Sequence, residues 1–230
     1  MKFGVITFPG SNCDYDLIYV LQNIVKVQTV QLWHKSTDLE GCDMIFLPGG
    51  FSYGDYLRTG AIARFAPIMS EVVNFAKKGG YVMGICNGFQ ILCEAGLLPG
   101  VLIRNKNMQF ICKNVYIKTI NKNSLITRNI KNEVLKIPIA HAEGNFYCDN
   151  ETLEFIQEKE QILFQYCNEF GEVNEESNPN GSLMNIAGIT NENKNVFGMM
   201  PHPERAADTW LKNEDGLQLF QSILNLSLCV

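Results

Sequence analysis

The sequence has little of what several protein classes require. No segment approaches the roughly 20 consecutive apolar residues that span a bilayer. The apolar start, Met1 to Gly10, is too short for a secretory core and no small-residue cleavage pattern follows it. Lys and Arg number 19 against 24 Asp and Glu, for a net charge of −5, and no basic stripe appears. That excludes a nucleic-acid binder working through a basic face. There are three histidines, none paired at metal-ligand spacing, and the 8 cysteines form no Cys-x-x-Cys pair. No metal site is expected. Neither a Gly-x-Gly-x-x-Gly nor a Walker-A pattern is present, so no phosphate loop is indicated. Without a repeat, low-complexity tract or linker, residues 1–230 read as one domain. Reduced thiols and the lack of an export signal make the cytoplasm the expected compartment.

What is present is strand and helix in alternation. Lys2 to Phe8, Val27 to Trp33, Asp43 to Leu47 and Tyr81 to Ile85 read as strands, with helices over Asp14 to Ile24, Ala61 to Lys77 and Asn87 to Ala95, the last closed by Gly96. Unalternated β-branched strands separated by helices predict a parallel sheet covered on both faces. After Gly100 the pattern shifts to strands: Val101 to Ile120, Val134 to Ala140, Asn145 to Tyr147, Leu153 to Ile156 and Ile162 to Tyr166. Asn178-Pro179-Asn180-Gly181-Ser182 marks a turn, Asn185 to Thr190 and Asn195 to Met200 a hairpin, and Gly216 to Leu226 a closing helix. The expectation is a single α/β domain with a doubly wound, mostly parallel, flavodoxin-like sheet and an antiparallel excursion in its second half.

The chemistry concentrates at Gly84-Ile85-Cys86-Asn87-Gly88, where a strand passes into a helix. This is a nucleophile-elbow layout with sulfur replacing the usual oxygen. Flanking glycines leave room for the tight turn, and the helix start favours a thiolate. A buried, inert cysteine would fit the same segment. A cysteine nucleophile needs a base. His34 has no acidic neighbour in its local pattern and His141 lies in Ala140-His141-Ala142-Glu143-Gly144, whereas His202 sits in Pro201-His202-Pro203-Glu204 with a carboxylate in the same turn to orient it. A solvated Pro-rich turn is the alternative. Acyl transfer also needs oxyanion donors. The Asn87 amide and the loop Gly49-Gly50-Phe51 after the third strand would share the edge of the sheet where ligands bind, although a plain turn explains the loop equally well.

These residues together resemble the class I (triad) glutamine amidotransferases. The blocks Phe8-Pro9-Gly10-Ser11-Asn12-Cys13-Asp14, Leu47 to Arg58, Cys86-Asn87-Gly88-Phe89-Gln90, His141-x-Glu143-Gly144 and Gly198 to Arg205 are similar to one branch of it, the glutaminase subunits of phosphoribosylformylglycinamidine synthases. The resemblance implies that Cys86 attacks the side-chain amide of glutamine, His202 moves the proton and Glu204 orients His202. It implies oxyanion or glutamine contacts at Gly49, Gly50, Phe51, Asn87 and Gln90, and contacts to glutamine or a partner at His141, Glu143 and Gly144. It further implies a separate synthetase subunit that uses ATP and Mg²⁺, a small bridging subunit, and no cofactor in this chain. Gln109, Asn114, Ala142 and Asn145 depart from the branch's pattern, where arginine, tryptophan or glycine is expected. An amidotransferase of another pathway, a thiol sensor on the same fold and an inactive interaction subunit are the competing readings.

Overall fold

The computed structural model describes residues 1–224. The first half alternates as expected: β1 (Lys2–Thr7), α1 (Asp14–Tyr19, continued by a π-helical turn Val20–Ile24), β2 (Gln28–Trp33), β3 (Met44–Leu47), α2 (Pro67–Lys77), β4 (Tyr81–Ile85) and α3 (Asn87–Glu94). The second half holds β5 (Val101–Ile103), β6 (Ile111–Thr119), β7 (Val134–His141), β8 (Asn145–Tyr147), α4 (Asn150–Glu158), β9 (Ile162–Cys167), β10 (Ile186–Thr190), β11 (Val196–Met199) and α5 (Leu217–Leu224). The expected end of the closing helix, Leu226, lies outside the described residues.

One nine-stranded sheet runs in the order β2-β1-β3-β4-β11-β10-β9-β6-β7, and β5 pairs with β8 beside it. From β2 to β11 all neighbours are parallel. From β11 to β7 all are antiparallel. The order reverses direction at β1, which is flanked by β2 on one side and β3 on the other. A crevice therefore opens between the loops that leave β1 and β3, the place where α/β sheets bind ligands. The two loops are tied together: the Phe51 N–H donates to the Gly10 carbonyl at 3.1 Å and the Tyr53 N–H to the Pro9 carbonyl at 2.6 Å.

The central strands are buried on both faces, with Phe3, Val5, Ile45, Phe46, Val82, Met83 and Phe197 fully inside. This explains their unalternated apolar runs. Close packing at the catalytic edge depends on two glycines. A Cβ on Gly84 would press against the Gly88 backbone, and one on Gly88 would overlap the Leu47 carbonyl oxygen. These contacts seat α3 directly on the ends of β3 and β4.

Three sequence expectations need correction. Leu153 to Ile156 is helical, inside α4. Asp149 is the N-cap of that helix and accepts from the Thr152 N–H at 2.8 Å. The run Val101 to Ile120 is two strands separated by the loop 104–110. The second long helix starts at Pro67 rather than Ala61, because a residue before proline is driven extended and Ala66 sits at φ −60°, ψ 141°.

Replacing Gly88 by alanine should lower stability by at least about 2 kcal/mol through overpacking. A lower midpoint of urea unfolding, together with reduced alkylation of Cys86, checks this. An unchanged midpoint would contradict the packing described.

Candidate active site

The turn from β4 into α3 puts Cys86 at φ 51°, ψ −106°, a left-handed backbone that a non-glycine residue rarely adopts. The Cys86 N–H donates to the Met199 carbonyl at 2.7 Å, which fixes the turn against β11. The sulfur sits at the start of α3, where the helix dipole favours negative charge, and lies 3.8 Å from the Ala140 carbonyl.

His202 follows β11. Its N–H donates to the Pro138 carbonyl at 2.8 Å, so β7, at the far end of the sheet order, returns to touch the end of the parallel half. His202 and Glu204 are both buried, with His202 Nδ1 and Glu204 Oε1 2.6 Å apart. The carboxylate holds the proton on Nδ1 and leaves Nε2, which has no other partner, to the Cys86 thiol. Burial works against protonating His202, but the Glu204 carboxylate and the Cys86 sulfur outweigh it and push the imidazole up to about 10. The His202 ring lies where a side chain on Gly49 would be. Gly50 has φ +128°, and a Cβ there would strike the Asn12 backbone, so only glycine fits.

A cavity of about 230 Å³ opens onto Cys86. Of the residues singled out from sequence, Gly50, Phe51, Gln90, His141 and Glu143 line it with Cys86. Phe51 forms part of its exposed rim, stacked on Phe110 with ring centroids 6.4 Å apart. Its N–H is already committed to Gly10. Asn87 is buried and braces the loop after β3: its Oδ1 accepts from the Ser52 N–H at 3.2 Å, and its Nδ2 donates to Gln90 Oε1 at 3.1 Å. Gln90 in turn donates to the Glu143 carbonyl at 2.5 Å. Gly144 lies against the His141 ring, where any side chain would collide with it.

The sequence reading missed five contributors. Asp55, Thr59 and Arg104 also line the cavity, and Asn105 organises its wall. The Asn105 Nδ2 donates to the Gln109 and His141 carbonyls at 2.8 and 2.9 Å, while its Oδ1 accepts from the Gly144 N–H at 3.0 Å and faces His141 Nδ1 at 3.1 Å. The fifth is Cys13, which lies with His202 and Glu204 in one buried cluster. Burial first, then the Glu204 charge, push its thiol up to about 12, so it stays protonated. Arg205 Nη2 donates to that sulfur at 3.1 Å and Nε to Asp16 at 3.0 Å. A guanidinium at this distance opposes a cation, and the cluster is not a convincing metal site. His34 pairs with another group: it is buried, with Nδ1 2.5 Å from the Tyr53 hydroxyl. Of the departing positions, Gln109, Asn114 and Ala142 are exposed, and the Asn145 amide reaches the Arg104 carbonyl at 3.4 Å.

Buried His141 is pushed down to about 4 by burial and by His202. Between pH 6.5 and 4 the unfolded chain therefore binds a proton there that the folded chain rejects, so stability falls as pH drops through that window. His202 works in the opposite direction, its contribution present below pH 6.5 and lost as pH rises through 10. In His141→Asn, whose amide can still donate to Asn105, the loss of urea stability from pH 7 to pH 5 should be smaller than in the parent chain. Equal losses would contradict the burial of a neutral imidazole.

Comparison with known proteins supplies the family. Residues 1–225 match the CobB/CobQ-like glutamine amidotransferase domain. A Chlorobium chlorochromatii protein, phosphoribosylformylglycinamidine synthase subunit PurQ, is 57% identical over 221 residues, covering 96% of this chain and 94% of that one. A Koribacter versatilis protein of the same name is 54% identical over 225 residues, 97% of each chain. In the structure of PurLQS from Thermotoga maritima, one chain matches with a TM-score of 0.86 and 40% identity over 98% of both chains.

Proposed function

We propose, on the premise that this chain belongs to the CobB/CobQ-like glutamine amidotransferases and to their branch of phosphoribosylformylglycinamidine synthase subunits, that Cys86, His202 and Glu204 form its catalytic triad. The chain hydrolyses glutamine and feeds the nitrogen to formylglycinamidine ribonucleotide synthesis in purine biosynthesis. The observation that carries the assignment of residues is the buried His202–Glu204 pair, whose free Nε2 is left to the sulfur of a strained strand-to-helix turn.

The steps follow from that arrangement. His202 Nε2 takes the Cys86 proton, and the sulfur attacks the carboxamide carbon of glutamine. The C=O electron pair moves onto oxygen, for which we assign the Gly50 and Asn87 N–H groups as donors. Collapse of this adduct breaks the C–N bond as His202 returns the proton to nitrogen, releasing ammonia and leaving a γ-glutamyl thioester on Cys86. Water, deprotonated by His202, then attacks the thioester. Glutamate departs and the Cys86 thiol is restored. Glu204 keeps the Nδ1 proton in place and stabilises the imidazolium formed in each half.

Its partners are a synthetase subunit and a small bridging subunit, as in PurLQS. We assign ATP and Mg²⁺ to the synthetase and no cofactor to this chain, and treat 1–230 as one amidotransferase domain. Among the described residues no helix is long and apolar enough to cross a membrane, and seven cysteines are free, which supports a cytoplasmic setting.

In the reconstituted complex, Cys86→Ala should abolish amidine formation from glutamine while free ammonia still supports it. Glu204→Gln should lower kcat by about 10²–10⁴-fold, the range expected when a triad loses the group that sets the tautomer. Glutamine-dependent turnover by Cys86→Ala would overturn the assignment.

A further inference from the structure

The mechanism uses one oxygen of Glu204 and leaves the other unexplained. Oε1 meets His202 Nδ1, while Oε2 is buried with no hydrogen-bond partner among the described residues. A carboxylate kept from water in this way is costly unless positive charge stands near it. Two groups back onto this pair. Cys13 Sγ lies within 4.8 Å of both a ring nitrogen of His202 and a carboxylate oxygen of Glu204. Beyond the sulfur stands the Arg205 guanidinium, which donates through Nη2 to Cys13 Sγ at 3.1 Å and through Nε to Asp16 Oδ2 at 3.0 Å. The Arg205 N–H also donates to the His202 carbonyl at 3.1 Å, so its backbone belongs to the catalytic turn while its side chain is clamped by the first turn of α1.

We infer that Arg205 is a positioning residue of the triad: clamped by Asp16 and set back from Glu204 by the neutral Cys13 thiol, its charge keeps the buried carboxylate ionised without pairing with it. The inference rests on the triad reading and deepens it. A guanidinium in direct contact would compete with the imidazole for the same carboxylate oxygens. One sulfur of separation keeps the field and removes the competition. The thiol suits this place because it carries no charge of its own and can donate and accept at once. Its hydrogen has Asn12 Oδ1 as acceptor at 3.5 Å, which leaves the sulfur lone pair to Arg205. Space for the sulfur comes from Gly49, where a Cβ would lie 2.6 Å from the His202 ring and 3.2 Å from Cys13 Sγ.

The arrangement gives the triad a pH dependence of definite sign. The titratable and charged groups around the His202–Glu204 pair are Cys86 at the start of α3, His141 at the end of β7, Cys13 and Asp16 at the start of α1, and Arg205 on the same turn. Of these, Arg205 alone carries a permanent positive charge. Burial opposes that charge, but the Cys13 sulfur and the Glu204 and Asp16 carboxylates outweigh it and push the guanidinium up. Removing the charge makes proton uptake by the coupled triad easier, whichever member takes the proton. The acidic limb of kcat/KM, which reports that uptake in the free enzyme, then moves to higher pH.

The test uses the complex with its synthetase and bridging subunits, and three variants: Arg205→Gln and Arg205→Met, which remove the charge, and Arg205→Lys, which keeps it. Unfolding midpoints in urea, measured on all three, separate packing from charge. Arg205→Gln and Arg205→Met should lower kcat for glutamine hydrolysis by about tenfold with KM nearly unchanged, because no contact to substrate is lost. Their acidic limb should move up by about 0.5–1 pH unit, a modest shift because the Arg205 side chain is 35% exposed and solvent screens it. The pH dependence of Cys86 alkylation by iodoacetamide should move in the same direction. Arg205→Lys should restore both profiles towards the parent. A parent complex that hydrolyses glutamine would overturn the proposal, and leave the triad reading standing, if the acidic limb stayed fixed in the charge-removing variants or moved equally in Arg205→Lys. Loss of the fold in all three would make Arg205 a structural residue and overturn it too. A parent complex that cannot hydrolyse glutamine would overturn both.

Discussion

The backbone at Cys86 is the constraint on which the catalytic edge depends. A left-handed φ of 51° at a non-glycine residue costs energy, and the surrounding structure holds it there. The Cys86 N–H is tied to β11, and Gly84 and Gly88 let α3 sit on the ends of β3 and β4 with no side chain between them. The same packing places the sulfur at a helix start and brings the Asn87 side chain under the loop after β3. A larger residue at either glycine would push α3 away and dissolve several of these relations together.

The second half of the chain completes what the parallel half begins. β7 lies last in the sheet order, yet its Pro138 carbonyl accepts from His202 and its Ala140 carbonyl faces Cys86. The antiparallel strands thus curl back and deliver His141 and Glu143 to the cavity that the loop after β3 also lines. One cavity is built from strand ends that are distant in sequence. Its two ends have different electrostatics. Near Cys86 the Glu204 carboxylate favours the charged form of His202, whereas burial favours the neutral form of His141.

Much of this was legible in the sequence for local reasons. Gly84-x-Cys86-x-Gly88 states its own turn, and Pro201-His202-Pro203-Glu204 keeps base and orienting carboxylate within a single turn, so both could be read without tertiary knowledge. The parallel strands were visible because burial on both faces leaves uninterrupted apolar runs. The α4 helix was hidden because only Ile156 on it is buried, which leaves little periodic signal, and the start that Asp149 caps resembles a turn. Asp55, Arg104 and Asn105 could not be found locally. Their roles come from loops that converge in space, and nothing in the order Arg104-Asn105 announces that the asparagine fixes a histidine tautomer 36 positions away.

The central claim is that glutamine passes through a covalent adduct on the Cys86 sulfur. The most direct measurement is to quench the complex during turnover with glutamine, digest it, and locate the γ-glutamyl adduct by mass spectrometry. The account predicts an adduct on the peptide carrying Cys86 that builds up when Glu204→Gln slows the base, and none on Cys13, whose thiol is held protonated. Hydrolysis of glutamine with no adduct at Cys86, or with the adduct on another cysteine, would contradict it.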